Sequence, residues 1–165
     1  MHLFKSKKPN IDAAFSRYGD MLYRVALTRL GNDADAQDVV QDVFVKYMSV
    51  CPEFNGSEHE KAWFLRTTIN HCNDFIRRQK IRICLPIDEA QHVVVDTQDG
   101  LKDLLDLLSQ LSPIYKDVVI LHSLEGFSLE ETAELLNISL SAAKMRLSRA
   151  REMLQILRKG DNDVY

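Results

Sequence analysis

Apolar residues recur every three or four positions over most of the chain, in three stretches: Ile11 to Met48, Glu58 to Lys80 and Leu101 to Leu157. This spacing is typical of amphipathic α-helices, and almost no stretch alternates with the period of two that a half-buried strand requires. The pattern therefore predicts an all-α protein, with an N-terminal bundle of three or four helices and a smaller C-terminal group of three or four.

The helical pattern stops between Ile81 and Gly100, where Pro86 and four acidic residues interrupt it. The run His92–Val95 could form a short strand, but a single strand without a partner is not stable, so we favour an extended, flexible acidic linker. The predicted boundaries are 10–82 for the first module, 83–100 for the linker and 101–159 for the second module.

The second module carries the signature of a helix-turn-helix. Ser128 followed by Glu131 predicts a capping box at a helix start. Asn137 stands where that short helix should end, because asparagine tolerates the left-handed conformation of a tight turn. Ser139 can then cap the next helix.

The last helix has one buried face and one outward face. Its predicted buried stripe comprises Ala143, Leu147, Ala150, Leu154 and Leu157. The side chains predicted to point away from this stripe are Ser141, Met145, Ser148 and Arg149, with Lys144, Arg146 and Arg151 flanking it. Between 144 and 159 there are six basic residues and one acid. A basic face is often only solvated surface, but after a capped helix and a tight turn it favours DNA binding.

The helix that begins near Asp33, its predicted cap, has an acidic outer face. The predicted buried stripe is Ala36, Val40, Val43 and Tyr47. The side chains opposite it are Asp38, Gln41, Asp42 and Val45. These acids could simply be solvated near the helix N-terminus, but the dipole effect fades within one turn and does not account for the later Asp42. An exposed valine between acids suits docking against a basic protein surface.

The following helix combines a core stripe with a polar ridge. The predicted stripe is Leu65, Ile69, Cys72 and Ile76, and the ridge beside it is Arg66, Asn70, Asn73 and Arg77, continued by Arg78. Residues 61–82 contain six basic residues and one acid. Asparagine and arginine side chains can contact exposed base edges and phosphates of a separated strand. Trp63 and Phe64 are predicted to pack rather than to stack on bases.

Composition narrows the function classes. The chain has 165 residues, 45% hydrophobic and 27% charged, with a net charge of −3, so nucleic-acid binding would depend on local basic patches. We expect a cytoplasmic protein, because the sequence lacks both a secretory signal and a membrane-spanning run. Cys51, Cys72 and Cys84 form no CxxC motif, which favours free thiols. His59, His71 and Cys72 could in principle bind zinc, but their spacing favours separate structural roles, and we expect no metal or cofactor.

The residues resemble the extracytoplasmic-function (ECF) sigma factors of bacterial RNA polymerase. Three segments carry the resemblance, in order: DADAQDVVQDVFVKYM (33–48), AWFLRTTINHCNDFIRRQ (62–79) and SLEETAELLNISLSAAKMRLSRARE (128–152). They are similar to the polymerase-binding segment, the minus-ten recognition element and the minus-thirty-five helix-turn-helix. The resemblance as a whole extends over nearly the entire chain outside the linker and tails.

The resemblance implies roles for individual residues. Asp38, Gln41 and Asp42 would contact the coiled coil of the largest polymerase subunit, and the loop Pro52 to Glu60 would hold a flipped promoter base. The minus-ten strand would be met by Asn70, Asn73, Arg77 and Arg78. The minus-thirty-five element would be met by Lys144, Arg146, Ser148, Arg149 and Arg151. The acidic linker would thread toward the polymerase active-site channel. The implied partners are core RNA polymerase, promoter DNA and an anti-sigma factor, which is often membrane-anchored and would hold the chain at the inner membrane face.

One departure from the family concerns the recognition helix. Ser141, Ala142, Ala143 and Met145 stand where glycine, threonine, valine and serine are common. One altered base contact changes discrimination by about 1 to 3 kcal/mol, so we expect a divergent upstream promoter element.

Two other functions compete with the sigma factor interpretation. A stand-alone helix-turn-helix regulator, dimerising through its N-terminal helices, has no need of the acidic face at Asp38 and Asp42. An enzyme is disfavoured, because the sequence shows no phosphate-binding glycine loop, no metal-ligand spacing and no nucleophile with a placed base. We therefore expect a non-catalytic specificity subunit of the polymerase.

Overall fold

The computed structural model describes residues 9–83 and 99–162, and all regular secondary structure in these ranges is helical. The all-α prediction is confirmed. The elements are α1 (Ile11–Leu30), α2 (Asp33–Val50), α3 (Ser57–Ile83), α4 (Asp99–Ser109), α5 (Pro113–Val118), which continues as a π-helical segment (Val119–Leu124), α6 (Leu129–Leu136) and α7 (Leu140–Asn162).

The described residues form two compact units. The first contains residues 9–26 and 34–83, and the second contains residues 27–33 and 99–162. Residues 27–33 therefore group with the second unit, although the sequence placed them inside the module 10–82.

The ends of the predicted linker 83–100 are helical. Ile83 is the last residue of α3, and Asp99 and Gly100 open α4. The rest of the predicted linker, with Pro86 and the run His92–Val95, lies outside the described residues.

Phe64 is the centre of the first unit. Its side chain is 0% exposed. Its ring centroid lies 5.0 Å from that of Tyr18 on α1, 5.4 Å and 5.0 Å from those of Phe44 and Tyr47 on α2, and 5.1 Å from that of Trp63. The rings are tilted or edge-on to one another, the arrangement that aromatic quadrupoles prefer. The prediction that Trp63 and Phe64 pack is confirmed, since Phe64 is buried and Trp63 is half-buried against it.

Polar contacts fix the start of α3 against α1. The Tyr18 hydroxyl donates to Glu60 Oε2 at 3.0 Å, and Arg17 Nη1 donates to the same oxygen at 3.1 Å. Burial is the main reason that the pKa of Tyr18 is raised, so the phenol stays a proton donor at neutral pH.

The second unit has its own apolar core. Its buried members are Leu108, Leu111, Val118, Val119, Leu147 and Ala150. Within this unit Arg29 Nη1 lies 3.1 Å from Asp117 Oδ1, and the two side chains are 4% and 14% exposed. Burial raises the pKa of Asp117, against the opposing effect of the nearby cations Arg29, Lys116 and Arg146.

Hydrogen bonds hold the turn between the π-helical segment and α6. Glu125 N donates to Ile120 O at 2.9 Å. His122 Nδ1 lies 2.7 Å from Phe127 O, and because a carbonyl oxygen only accepts, this ring nitrogen is the donor. Gly126 has a φ of 76°, a conformation that glycine adopts without strain. The start of the helix-turn-helix is therefore anchored to the helix before it.

The helix-turn-helix has the local geometry predicted from the sequence. Ser128 Oγ accepts from Glu131 N at 3.1 Å, and Glu131 Oε2 accepts from Ser128 N at 2.8 Å, which completes the capping box. Asn137 is left-handed, with φ 53° and ψ 49°. Ser139 Oγ accepts from Ala142 N at 3.1 Å at the start of α7. These three predictions are confirmed.

Candidate polymerase and promoter interfaces

The inner face of α2 is wider than the sequence stripe suggests. The predicted core residues Ala36, Val40, Val43 and Tyr47 are all buried. Val39 and Phe44 are buried as well, and Phe44 is covered by Phe15 of α1 and Phe64 of α3. Asp33, the predicted cap, is assigned as the first helical residue.

The outer face of α2 is open. Asp38, Gln41 and Asp42 are exposed, and Val45 is 56% exposed between them. We call these four residues the acidic ridge. At one side of the ridge, Asp42 Oδ2 lies 4.0 Å from His71 Nδ1 on α3. The ridge thus offers two carboxylates, an amide and a large aliphatic group to a partner.

The outer side of α3 carries the predicted polar ridge. All five of its residues are exposed: Arg66, Asn70, Asn73, Arg77 and Arg78. Leu65, Ile69 and Cys72 are buried beneath them, and Ile76 is only half-buried. Arg77 Nη2 lies 2.8 Å from Asp74 Oδ1 one turn earlier. Such an exposed pair contributes little stability, so Arg77 can exchange this carboxylate for a phosphate.

The predicted loop Pro52 to Glu60 is only partly a loop. Residues 57–60 form the first turn of α3, so the irregular segment is 51–56. The acids Glu58 and Glu60 in this turn favour its helical conformation through the helix dipole. This corrects the extent of the loop predicted from the resemblance.

An aromatic cluster supports this shorter loop. Phe54 stacks on Tyr47 with ring centroids 6.4 Å apart, and it meets His59 and Trp63 edge-on at 5.6 Å and 5.9 Å. Asn55 N donates to His59 Nδ1 at 3.2 Å. The role of Phe54 was not predicted from the sequence. The spacing of His59 and Trp63 by one helical turn was the available signal, since it places both rings on one side of α3.

The outward face of α7 contains the predicted side chains. Ser141, Ser148 and Arg149 are exposed, and Met145 is 49% exposed. In the buried stripe, Ala143, Leu147 and Ala150 are buried as predicted, whereas Leu154 and Leu157 are only half-buried. The stripe therefore describes the first half of α7 better than the second.

The flanking cations of α7 are not equivalent. Lys144 and Arg151 are exposed, whereas Arg146 is half-buried. The charge of Arg146 lowers the pKa of the buried Asp117, against the larger effect of burial, so the two side chains interact. Ala142, one of the departures from the family, is half-buried rather than fully open.

Cys51 and Cys72 are free thiols, and Cys84 lies outside the described residues. Within residues 9–83 and 99–162, no group of three or more His, Cys, Asp or Glu residues is placed to hold a metal ion, so the zinc interpretation of His59, His71 and Cys72 gains no support.

No helix in the described part of the chain is long and apolar enough to cross a membrane.

Comparisons with known proteins agree with the two units. Residues 14–81 match the family described as Sigma-70 region 2, and residues 101–154 match Sigma-70, region 4. RNA polymerase sigma factor SigV of Bacillus subtilis is 31% identical over 136 residues, which cover 81% of this chain and 82% of SigV. ECF RNA polymerase sigma factor SigE of Mycolicibacterium smegmatis is 29% identical over 158 residues, covering 89% of this chain and 61% of SigE.

Solved structures give the same result. The sigma factor RpoE from Bartonella quintana, determined in complex with the anti-sigma factor NepR, has a TM-score of 0.74 and 25% identity, covering 90% of this chain and 96% of that one. The presence of both sigma regions in order decides against a stand-alone helix-turn-helix regulator. The chain belongs to the ECF sigma factors of bacterial RNA polymerase, which bind the core enzyme and direct it to promoters by reading the minus-ten and minus-thirty-five elements.

Proposed function

We propose that the acidic ridge of α2 binds core RNA polymerase. The observation that carries this proposal is the exposure of Val45, 56%, between carboxylates on the side of α2 opposite its buried face. Asp38 and Asp42 lie one turn apart beside it and complement a basic partner surface. Their charges speed the encounter, and the buried apolar contact of Val45 adds affinity.

A titration with core polymerase tests this assignment. Labelled protein is titrated with bacterial core enzyme and followed by anisotropy, together with the double variant Asp38→Arg/Asp42→Arg. We expect tight binding by the wild type and its loss in the variant. The matched control is Asp20→Arg/Asp106→Arg, which changes the net charge equally at exposed acids outside the ridge. Equal weakening by both double variants would refute the assignment, because it would reveal only a general charge effect.

We propose that the exposed ridge of α3 binds the minus-ten strand. The side chains offered for this are Arg66, Asn70, Asn73, Arg77 and Arg78. Four of these five residues project from successive turns of one helix face, as a single strand following the helix would require. The loop 51–56, supported by Phe54, lies at the start of the same helix and is proposed to receive a flipped base.

The asparagines of this ridge can be tested with the assembled holoenzyme. Asn70→Ala and Asn73→Ala should reduce binding to a forked promoter with a single-stranded minus-ten element and leave the affinity for core polymerase unchanged. Ser16→Ala, at an exposed position on α1, is the control. Unchanged binding to the forked promoter by both asparagine variants would contradict the proposal.

We propose that the outward face of α7 contacts the minus-thirty-five element. The residues proposed to contact base edges are Ser141, Met145, Ser148 and Arg149. Those proposed to contact phosphates are Lys144, Arg146 and Arg151. Met145 cannot donate or accept a strong hydrogen bond, which supports a divergent upstream element. Selection of promoter sequences with the holoenzyme tests this, and recovery of the common family element would refute it.

We further propose that the chain is a non-catalytic specificity subunit that acts in the cytoplasm, where core polymerase works, and that an anti-sigma factor controls it. The relative from Bartonella quintana is bound to such a factor, which supports this partner by similarity. A purified anti-sigma candidate should compete with core polymerase for the wild type in the anisotropy titration.

A further inference from the structure

Three of the five exposed large apolar side chains in the first unit lie on or beside the acidic ridge. Val45 and Met48 belong to α2 and are 56% and 41% exposed, and Phe15 belongs to α1 and is 56% exposed. The other two, Val50 and Ile81, lie near the ends of α2 and α3. Single exposed apolar residues are ordinary, whereas an aromatic among several of them beside charges is typical of a protein interface.

The position of Phe15 relative to the ridge follows from its contact with Phe44. Their ring centroids lie 5.2 Å apart, and Phe44 is almost fully buried. At 100° per residue, Met48 and Phe44 lie roughly 60° and 100° from Val45, in the same direction around α2. Phe15 therefore continues the exposed surface of α2 on the side of Met48, away from the side where Asp42 meets His71.

The Phe15 ring is held in place. It rests over Gly19, where an added Cβ would lie 3.4 Å from Phe15 Cζ, and Phe44 supports it from α2. A side chain already fixed in the free protein loses less conformational entropy when a partner binds. More than half of its surface is nevertheless left to solvent.

We propose that Phe15 is an aromatic anchor of the polymerase-binding surface and receives a basic side chain of core RNA polymerase. This inference rests on the proposed function of the acidic ridge. Asp38 and Asp42 favour a basic partner for the ridge. A partner that extends along α2 past Val45 and Met48 reaches Phe15, whose aromatic face is suited to a further cation of that partner through cation–π contact. The same two carboxylates repel phosphates, which disfavours promoter DNA as the occupant.

The test compares three Phe15 variants in the anisotropy titration with core polymerase. Phe15→Ala should weaken binding about tenfold, which corresponds to ~1.4 kcal/mol. Phe15→Tyr keeps the aromatic face and should stay within about twofold of the wild type. Phe15→Leu keeps an apolar contact with Phe44 but lacks the ring, so its affinity should fall between these two. Ile81→Ala, at a position 65% exposed and outside the ridge, is the control and should bind as the wild type does.

The outcomes separate this inference from the proposed function. Wild-type affinity in Phe15→Ala, with binding lost in Asp38→Arg/Asp42→Arg, would overturn the role of Phe15 and leave the acidic ridge in place. Failure of the wild type to bind core polymerase would instead remove the proposed function itself. A thermal melt shows whether each variant is folded, and if Phe15→Ala is not, the comparison of Phe15→Leu with Phe15→Tyr decides. If Phe15→Ala changes only the binding of promoter DNA or of an anti-sigma factor, the surface serves another partner and the inference is wrong.

Discussion

Two buried threonines provide a matched test of how side-chain hydrogen bonds contribute to the stability of this protein. Thr68 on α3 and Thr132 on α6 are both 0% exposed. The Thr68 hydroxyl donates to Phe64 O at 2.9 Å. The Thr132 hydroxyl has no hydrogen-bond partner among the described residues. Replacement by valine keeps the branched shape and removes the hydroxyl in each case.

The expected changes in the free energy of unfolding have opposite signs. Thr68→Val loses one hydrogen bond, which should destabilise the protein by about 0.5 to 1.5 kcal/mol. The carbonyl of Phe64 is not left unpaired, because it also accepts the backbone bond of the helix. Thr132→Val removes a hydroxyl that is buried without compensation, a situation that costs about 1 to 3 kcal/mol, so we expect stabilisation by roughly 1 kcal/mol.

Urea denaturation followed by circular dichroism measures both changes. A difference of about 2 kcal/mol should separate the two variants, and in a thermal scan each kcal/mol shifts the midpoint by roughly 2 to 4 °C. Destabilisation of the protein by Thr132→Val would refute the reasoning, because it would mean that the hydroxyl is hydrogen-bonded in solution. A stability unchanged by Thr68→Val would equally contradict it.

Three further predictions concern the second unit. Ser128→Ala removes the capping-box acceptor and should destabilise the protein by about 1 kcal/mol in urea titrations, whereas Ser112→Ala, at an N-cap that makes no side-chain bond, should change stability by less than about 0.5 kcal/mol. Equal effects would contradict the role of the cap. Arg149→Ala should weaken promoter binding by the holoenzyme, measured between about 50 and 200 mM salt, while Arg158→Ala, on the opposite side of α7, should leave it unchanged; the reverse order would refute the assigned face. Burial raises the pKa of Asp117 above its ordinary value of 3.8, so the folded state keeps this proton after the unfolded chain has lost it. Stability should therefore fall as pH rises from about 4 through the raised pKa, and Asp117→Asn should flatten the fall in urea titrations; parallel pH curves would contradict this.

Features that depend on residues within one or two helical turns could be predicted from the sequence. The capping box at Ser128, the left-handed Asn137 and the cap at Ser139 each involve neighbours no more than five positions away. The polar faces of α2, α3 and α7 likewise follow from helical periodicity alone. Periodicity predicts where these faces lie but not what they bind. Their function was predicted from the resemblance to the sigma factor family.

Features set by contacts between helices could not be predicted in this way. Phe44 is buried because Phe15 and Phe64 cover it from α1 and α3, and Phe54 packs on Tyr47 from the loop. The periodicity within α2 cannot predict these neighbours, because they lie outside the helix, 7 to 29 positions away along the chain. The sequence stripe therefore underestimated the buried face of α2.

The same limitation changes the interpretation of α7. By periodicity Arg146 is a flanking cation like Lys144 and Arg151, yet it is half-buried and interacts with Asp117 on α5. Partial burial limits the access of this guanidinium to a phosphate, so its contribution to DNA affinity should be smaller than that of the exposed cations. We therefore expect Lys144, Arg149 and Arg151 to supply most of the salt-dependent affinity of this helix, and Arg146 to hold α7 in position against α5.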